Sequence, residues 1–223
     1  MAERHDEPAL RERRTPGLLA RSVPVFCAGA NALAALATPF LLGPGSELER
    51  DPARRLAYVS EHLGAWRFDW ALWMIAALAL VAFYGWWAAR IGGPRMARAG
   101  FLLASIGLAC DWLVESLYIG WMPRDFAALA AAGLPLSAGL ANGLYTLGGS
   151  LLTRATPGLP GWLRAWTWCT WASGAALATA GFLGSPPVLA VSAALLMLCF
   201  CPWVLVFARH LERVAPRPEP GDR

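Results

Sequence analysis

The sequence predicts an all-α, polytopic integral membrane protein: six transmembrane helices, amino and carboxyl termini both cytoplasmic, one outer amphipathic helix, and a candidate 3+3 inverted repeat. Three observations carry this expectation. Hydrophobic residues make up 57% of the 223, only 15% are charged and mean hydropathy is +0.45, which leaves too little polar surface to coat a soluble core of this size. Apolar runs recur at about 20 residues, the length that crosses hydrocarbon at about 1.5 Å per residue. The basic residues are all arginine, and they divide unevenly between the loops.

The chain opens with a charged tail, 1–22, in which "RERR" is offset by Glu3, Asp6, Glu7 and Glu12; this is a solvated mixed-charge segment rather than a basic arm. The membrane domain, 23–209, begins with a span from Val23 to Leu42. "RRTPGLL" is similar to a twin-arginine export signal and "ALA" at Ala35 to Ala37 to a cleavage site, but the apolar run continues past that site to Leu42. Uncleaved insertion is therefore expected, with a processed five-span form as the alternative.

The longest connection, Gly43 to Asp69, is placed outside. Asp51 stands as a helix cap before Pro52, and Leu56, Val59, Leu63 and Trp66 then form an apolar stripe. This reads as an amphipathic helix over 52–66 lying on the outer surface, with a lid over a cavity in the bundle as the other option. Further spans follow at Trp70 to Ile91, Ala99 to Gly120, Leu136 to Thr153, Trp162 to Leu183 and Val188 to Ala208. "DFAALAAAGLP" before the fourth suggests a short interfacial helix, and a Pro/Arg-rich cytoplasmic tail, 210–223, closes the chain.

With the amino terminus inside, 14 of the 19 arginines fall on the cytoplasmic side, which predicts an even span count in a bacterial cytoplasmic (inner) membrane. The net charge of +4 and the pI near 9.0 follow from that bias, so the expected partner is the lipid bilayer and not nucleic acid.

No cofactor is expected. Cys27, Cys110, Cys169, Cys199 and Cys201 all fall within spans without a C-x-x-C pair, and the two sulfurs of "CFC" point about 200° apart on a helix. His62 and His210 belong to opposite membrane faces, about 30 Å apart, too far to share a haem. Trp66, Trp70, Trp86, Trp87, Trp121, Trp162 and Trp166 lie near span ends and are expected to anchor at the headgroups. "GLANG" at Gly139 to Gly143, together with Ser173, Gly174, Ala175, Ala178, Gly181 and Gly184, predicts close helix packing.

The two halves also match in order. "ANALAALA" from Ala30 aligns with "ANGLYTLG" from Ala141, W-x-x-x-W recurs at Trp66/Trp70 and Trp162/Trp166, and "CDW" at Cys110 corresponds to "CPW" at Cys201. Three spans per half would make such a repeat inverted, the arrangement many carriers build around a midplane site. Chance matches among abundant alanine, leucine and tryptophan are the competing account.

Candidate site residues come from depth and face. Asn31 and Asp111 fall near the midplane, with Glu115 and Asn142 somewhat toward the outside. Asp111, Glu115 and Tyr118 share one helix face at i, i+4 and i+7, while Asn142 and Tyr145 share another. Both faces should look inward, because a charge facing lipid costs at least about 2.5–3.5 kcal/mol.

No basic residue is expected at that depth, although Arg67 or Arg124 reaches Glu115 if the span sits higher. Burial and like charge both disfavour a doubly ionised pair. The expected ground state is therefore a protonated acid hydrogen-bonded to Asn31, Asn142 or Tyr145, or a carboxylate pair holding a cation. This supports a small carrier or channel with a proton, cation or small-molecule ligand. The alternative makes the polar groups interhelical glue, or a dock for a membrane partner subunit or a second copy. An enzyme is disfavoured: the acids share one helix, Ser185 has no histidine near it, and H-E-x-x-H does not occur. In size, span count and its alanine-rich first span, Ala28 to Ala37, the chain resembles the substrate-capturing subunits of energy-coupling-factor vitamin importers. No diagnostic motif accompanies that resemblance, so it implies no site residue.

Overall fold

The computed structural model describes residues 18–214, which form helices and no strand. The amino-terminal tail up to residue 17 and the carboxyl-terminal tail from residue 215 lie outside the described residues. The elements are α1 (Leu18–Leu41), α2 (Pro52–Glu61), α3 (Leu63–Arg90), α4 (Arg95–Trp121), α5 (Phe126–Leu134), α6 (Asn142–Ala155), α7 (Gly161–Leu183) and α8 (Pro186–Val214), with a π-helical turn at Pro135–Ala141 joining α5 to α6.

Short connections force antiparallel neighbours, so α1, α3, α4, α6, α7 and α8 run up and down, each packed on the next, and α8 closes on α1. The result is a closed ring. One end carries α2 and the Met122–Asp125 turn; the opposite end carries the start of α1, the end of α8 and the described residues Arg90, Arg95, Arg98, Arg154, Arg164, Arg209 and Arg213.

Five segments are long and apolar enough to cross a membrane: Ser22–Leu41, α3, α4, the continuous stretch Phe126–Ala155, and α8. The sixth expected span, α7, has the length, at 23 residues, but Trp162, Trp166, Trp168, Trp171 and three threonines lower its hydropathy. The second span starts earlier than the sequence suggests, at Leu63, because the apolar pattern continues across the polar stretch that contains Asp69. The fourth likewise runs through the segment read as interfacial: Pro135 removes a backbone donor, and the helix accommodates it as a π-turn without breaking.

The outer helix differs from expectation in two ways. Asp51 does cap it, accepting from the Ala53 amide at 2.9 Å, but the helix ends at Glu61, where the chain bends at His62 and Leu63 starts α3. Its apolar face packs on the rest of the protein. Val59 is buried, and Arg55 reaches inward to the Gly45 carbonyl (2.8 Å) and to Glu47 (2.8 Å). Together with Trp66, Trp70, Tyr118, Met122 and Phe126, α2 builds a small core that caps this end of the ring.

The tryptophan belt is also corrected. Trp66, Trp70, Trp86 and Trp87 are buried inside the protein, whereas Trp121 and Trp162 are exposed as anchors should be. Sequence position fixes a side chain's depth, but the helix face decides whether it meets lipid or a neighbouring helix. Indoles turned inward need acceptors, and threonines supply them. Trp87 donates to Thr156, Trp171 to Thr153 and Trp203 to Thr167, each at 2.8 Å. Each threonine in turn donates to the carbonyl four residues before it, so one hydroxyl satisfies an indole and itself.

Small residues set the closest crossings, as expected, though the tightest was not foreseen. A Cβ on Gly100 would sit 2.6 Å from the Gly148 carbonyl, and one on Gly148 would sit 2.5 Å from the Gly100 carbonyl, so α4 and α6 meet backbone to backbone. Gly139 of "GLANG" packs under the Phe182 ring, and Gly181 faces the Gly139 amide.

Candidate functional site

The ring encloses a cavity of about 390 Å³. It extends from the segment Leu42 to Leu48 under the α2 cap down to Tyr84, Trp171 and Phe200 in the bundle. All six residues singled out from the sequence line it: Asn31 from α1, Asp111, Glu115 and Tyr118 from α4, Asn142 and Tyr145 from α6. They meet because a helix carrying polar groups at i, i+4 and i+7 presents them as a stripe, and the ring turns that stripe away from lipid.

The two acids, one turn apart, have unlike surroundings. Asp111 is satisfied at both oxygens: Ser137 donates to Oδ1 at 2.5 Å and Tyr145 to Oδ2 at 3.3 Å. Glu115 is 2% exposed, and its Oε2 has no hydrogen-bond partner among the described residues. The only ion pairs among those residues are Arg54–Glu49 and Arg55–Glu47, so neither Arg67 nor Arg124 reaches Glu115.

Nor do the amides reach the acids. Asn31 donates to the Cys27 carbonyl (3.0 Å) and across to the Ala76 carbonyl on α3 (3.2 Å), and Asn142 donates to the Ser137 carbonyl (3.2 Å). Backbone carbonyls lie nearer to each amide than the acids do, and for Asn142 the π-turn leaves one accessible. Tyr118 shares the face of the acids but points its hydroxyl at the Leu129 carbonyl, 3.4 Å away.

No family model, curated protein or solved structure matches this chain. The site must be read from its own chemistry.

Four contributors were missed in the sequence. Ser137 looked like one more small residue after a proline, and only the π-turn aims its hydroxyl at Asp111. Asp69 was assigned to the outer loop but is wholly buried. Its Oδ2 accepts from Thr38 (3.0 Å), whose hydroxyl also accepts from the Trp73 indole (2.9 Å), and its Oδ1 is unpartnered. Glu47 and Arg55 form a part-buried pair, with Glu47 on the cavity lining and the Arg55 guanidinium 5.4 Å from the Phe126 ring centroid. An arginine one turn into an amphipathic helix, at the edge of its apolar stripe, was the one legible signal.

Among the described residues, no three His, Cys, Asp or Glu side chains group as metal ligands, and the five cysteines are free thiols. The enclosure offers one satisfied acid, one unsatisfied acid, aromatic edges and a broad apolar wall from α8.

Proposed function

We propose that the chain is a six-span carrier of the bacterial cytoplasmic membrane, with the central cavity as its binding site and Asp111 and Glu115 as the groups that handle a proton or cation. The observation that carries this reading is Glu115: an acid enclosed in a ligand-sized cavity, with an unpartnered oxygen and no cation in reach. Interhelical glue is satisfied by its partners, as Asp111 is. A group left unsatisfied in a protein interior carries a cost that structure alone does not offset.

Asp111 itself favours a second role alongside this one, because its bonds to Ser137 and Tyr145 tie α4 to the π-turn and α6. Docking of a separate membrane subunit on Glu115 is disfavoured, since its side chain faces the cavity and not the outer surface.

Counting α7 as the sixth span rests on its 23 residues, which cover about 35 Å, and on its position between α6 and α8 in the ring. Both termini then share one face with most of the arginines, consistent with a cytoplasmic location. The inverted repeat receives support from one parallel: Trp112 of α4 donates to Met74 of α3, and Trp203 of α8 donates to Thr167 of α7. Asn31 and Asn142 do not repeat each other's bonds.

The test is proton flux into proteoliposomes carrying an internal pH dye under an imposed membrane potential. Flux that Asp111→Asn plus Glu115→Gln abolishes supports the reading. Flux that is absent in the unsubstituted protein, or survives in the double variant, removes the acids from the coupling.

A further inference from the structure

We propose that the cavity takes a monovalent organic cation, a protonated amine on an apolar body, with its N–H directed at the Glu115 carboxyl. This rests on the carrier reading above and names its ligand class.

The walls of the cavity are unlike. On one side α8 presents Leu189, Ala193, Leu196, Met197 and Phe200, an apolar surface with nothing to offer a sugar or a peptide backbone. On the other, α4 presents the acids. The charged side chains on the lining are Asp111, Glu115 and Glu47, and none is basic. The nearest arginine in the cap, Arg55, is already held by Glu47 and the Gly45 carbonyl. An anion or zwitterion would therefore place its carboxylate against acids with no counter-charge.

An inorganic cation fits poorly as well. Magnesium or calcium needs six or more oxygens around it, with carboxylates prominent among them, whereas among the described residues no three His, Cys, Asp or Glu side chains group as metal ligands. A single ammonium group asks for less, a carboxylate oxygen within reach, which Glu115 supplies. One turn away, Tyr118 packs edge-on with Trp70 at 4.8 Å between centroids, and both line the cavity as apolar surface. The volume of about 390 Å³ suits a small organic body.

The charge balance closes with one proton. An enclosed, unpaired carboxyl holds its proton while the cavity is empty. When R–NH3+ enters, the Glu115 O–H bond breaks, the proton leaves to solvent, and the carboxylate pairs with the ammonium. No covalent bond to the ligand forms, and the charge in the cavity is the same before and after.

The test uses the full chain in mild detergent, with 1-naphthylmethylamine as probe and 1-naphthylmethanol as its neutral isostere. Calorimetry in two buffers of different ionisation enthalpy measures affinity and counts protons. The amine should bind about 10- to 100-fold more tightly than the alcohol, the value of a charged hydrogen bond. Its binding should release close to one proton and strengthen as pH rises, until the amine itself deprotonates. Glu115→Gln should reduce the amine to the level of the alcohol and leave the alcohol unchanged.

Equal binding of amine and alcohol, or binding without proton release, overturns the proposal on the unsubstituted protein alone, whether or not the variant folds. Amine binding with proton release but no amine accumulation in proteoliposomes under a proton gradient overturns the carrier reading and leaves the ligand class standing. Acid-dependent proton flux with no amine preference does the reverse.

Discussion

Replacing Glu115 and Asp111 by apolar residues of similar size should move stability in opposite directions. In Glu115→Met the change removes a buried oxygen without a partner. Burying an unpaired polar group costs about 1–3 kcal/mol in proteins, and methionine fills the vacated length with a flexible thioether, so that cost is recovered as stability. At about 2–4 °C per kcal/mol for a chain of this size, the melting temperature of the empty protein should rise by about 2–12 °C. In Asp111→Leu the change instead strands two donors, the Ser137 and Tyr145 hydroxyls. Interhelical hydrogen bonds in membranes average about 0.6 kcal/mol and reach about 1.7, so losing both should cost about 1–3 kcal/mol and lower the melting temperature by a comparable amount.

The assay is thermal unfolding in detergent, followed by the intrinsic fluorescence of the 12 tryptophans. Both variants falling together would refute the reasoning: Glu115 would then be satisfied like its neighbour, and the acids would be structural glue.

Other perturbations test the frame around the site. Gly148→Val should abolish a monodisperse gel-filtration peak, because its Cβ already meets the Gly100 carbonyl at 2.5 Å and overpacking of this kind costs about 1–3 kcal/mol or more. Thr167→Val strands the Trp203 indole and should lower stability by about 1 kcal/mol; adding Trp203→Phe should recover most of the loss in a double-mutant cycle of melting temperatures. Arg55→Met leaves Glu47 buried without its partner and should cost about 3–5 kcal/mol, seen as faster hydrogen exchange across residues 43–61. Arg54→Ala, at a guanidinium 67% exposed, should change exchange and melting by less than about 1 kcal/mol.

Much of this site was legible because depth and helix face are both set by residue number. Counting along a span placed Asn31 and Asp111 near the midplane with Asn142 and Glu115 somewhat toward the outside, and the i, i+4, i+7 spacing put Asp111, Glu115 and Tyr118 on one stripe, so the cavity lining could be anticipated before any packing was known. What could not be read was direction across helices. Asn31 turns to Ala76 and Asn142 to Ser137 because carbonyls on an adjacent helix or an irregular turn are invisible to periodicity. The same blindness sent four tryptophans to the membrane interface when their faces turn inward, and left Asp69 outside because a single acid beside an arginine reads as a span boundary. The outer helix failed differently: its stripe was real, but amphipathicity says only that a helix has an apolar partner, and here that partner is the end of the ring and not lipid.

The contrast between the two acids follows from a defect in a helix. A regular α-helix from Phe126 to Ala155 would face α4 with a fixed periodicity, and a residue one position out of register would point away. The π-turn at Pro135–Ala141 adds that shift. It brings the Ser137 hydroxyl to Asp111 while Tyr145, farther along the same span, reaches the other oxygen. One irregular turn thus satisfies the deeper acid completely from a single neighbour. Glu115, a turn closer to the capped end, lies beyond the reach of those two hydroxyls and lines the cavity with its Oε2 unpartnered. Two carboxyls on one helix face therefore differ in role for a reason that lies on the facing span: where the π-turn ends, the partners end, and the unsatisfied oxygen begins.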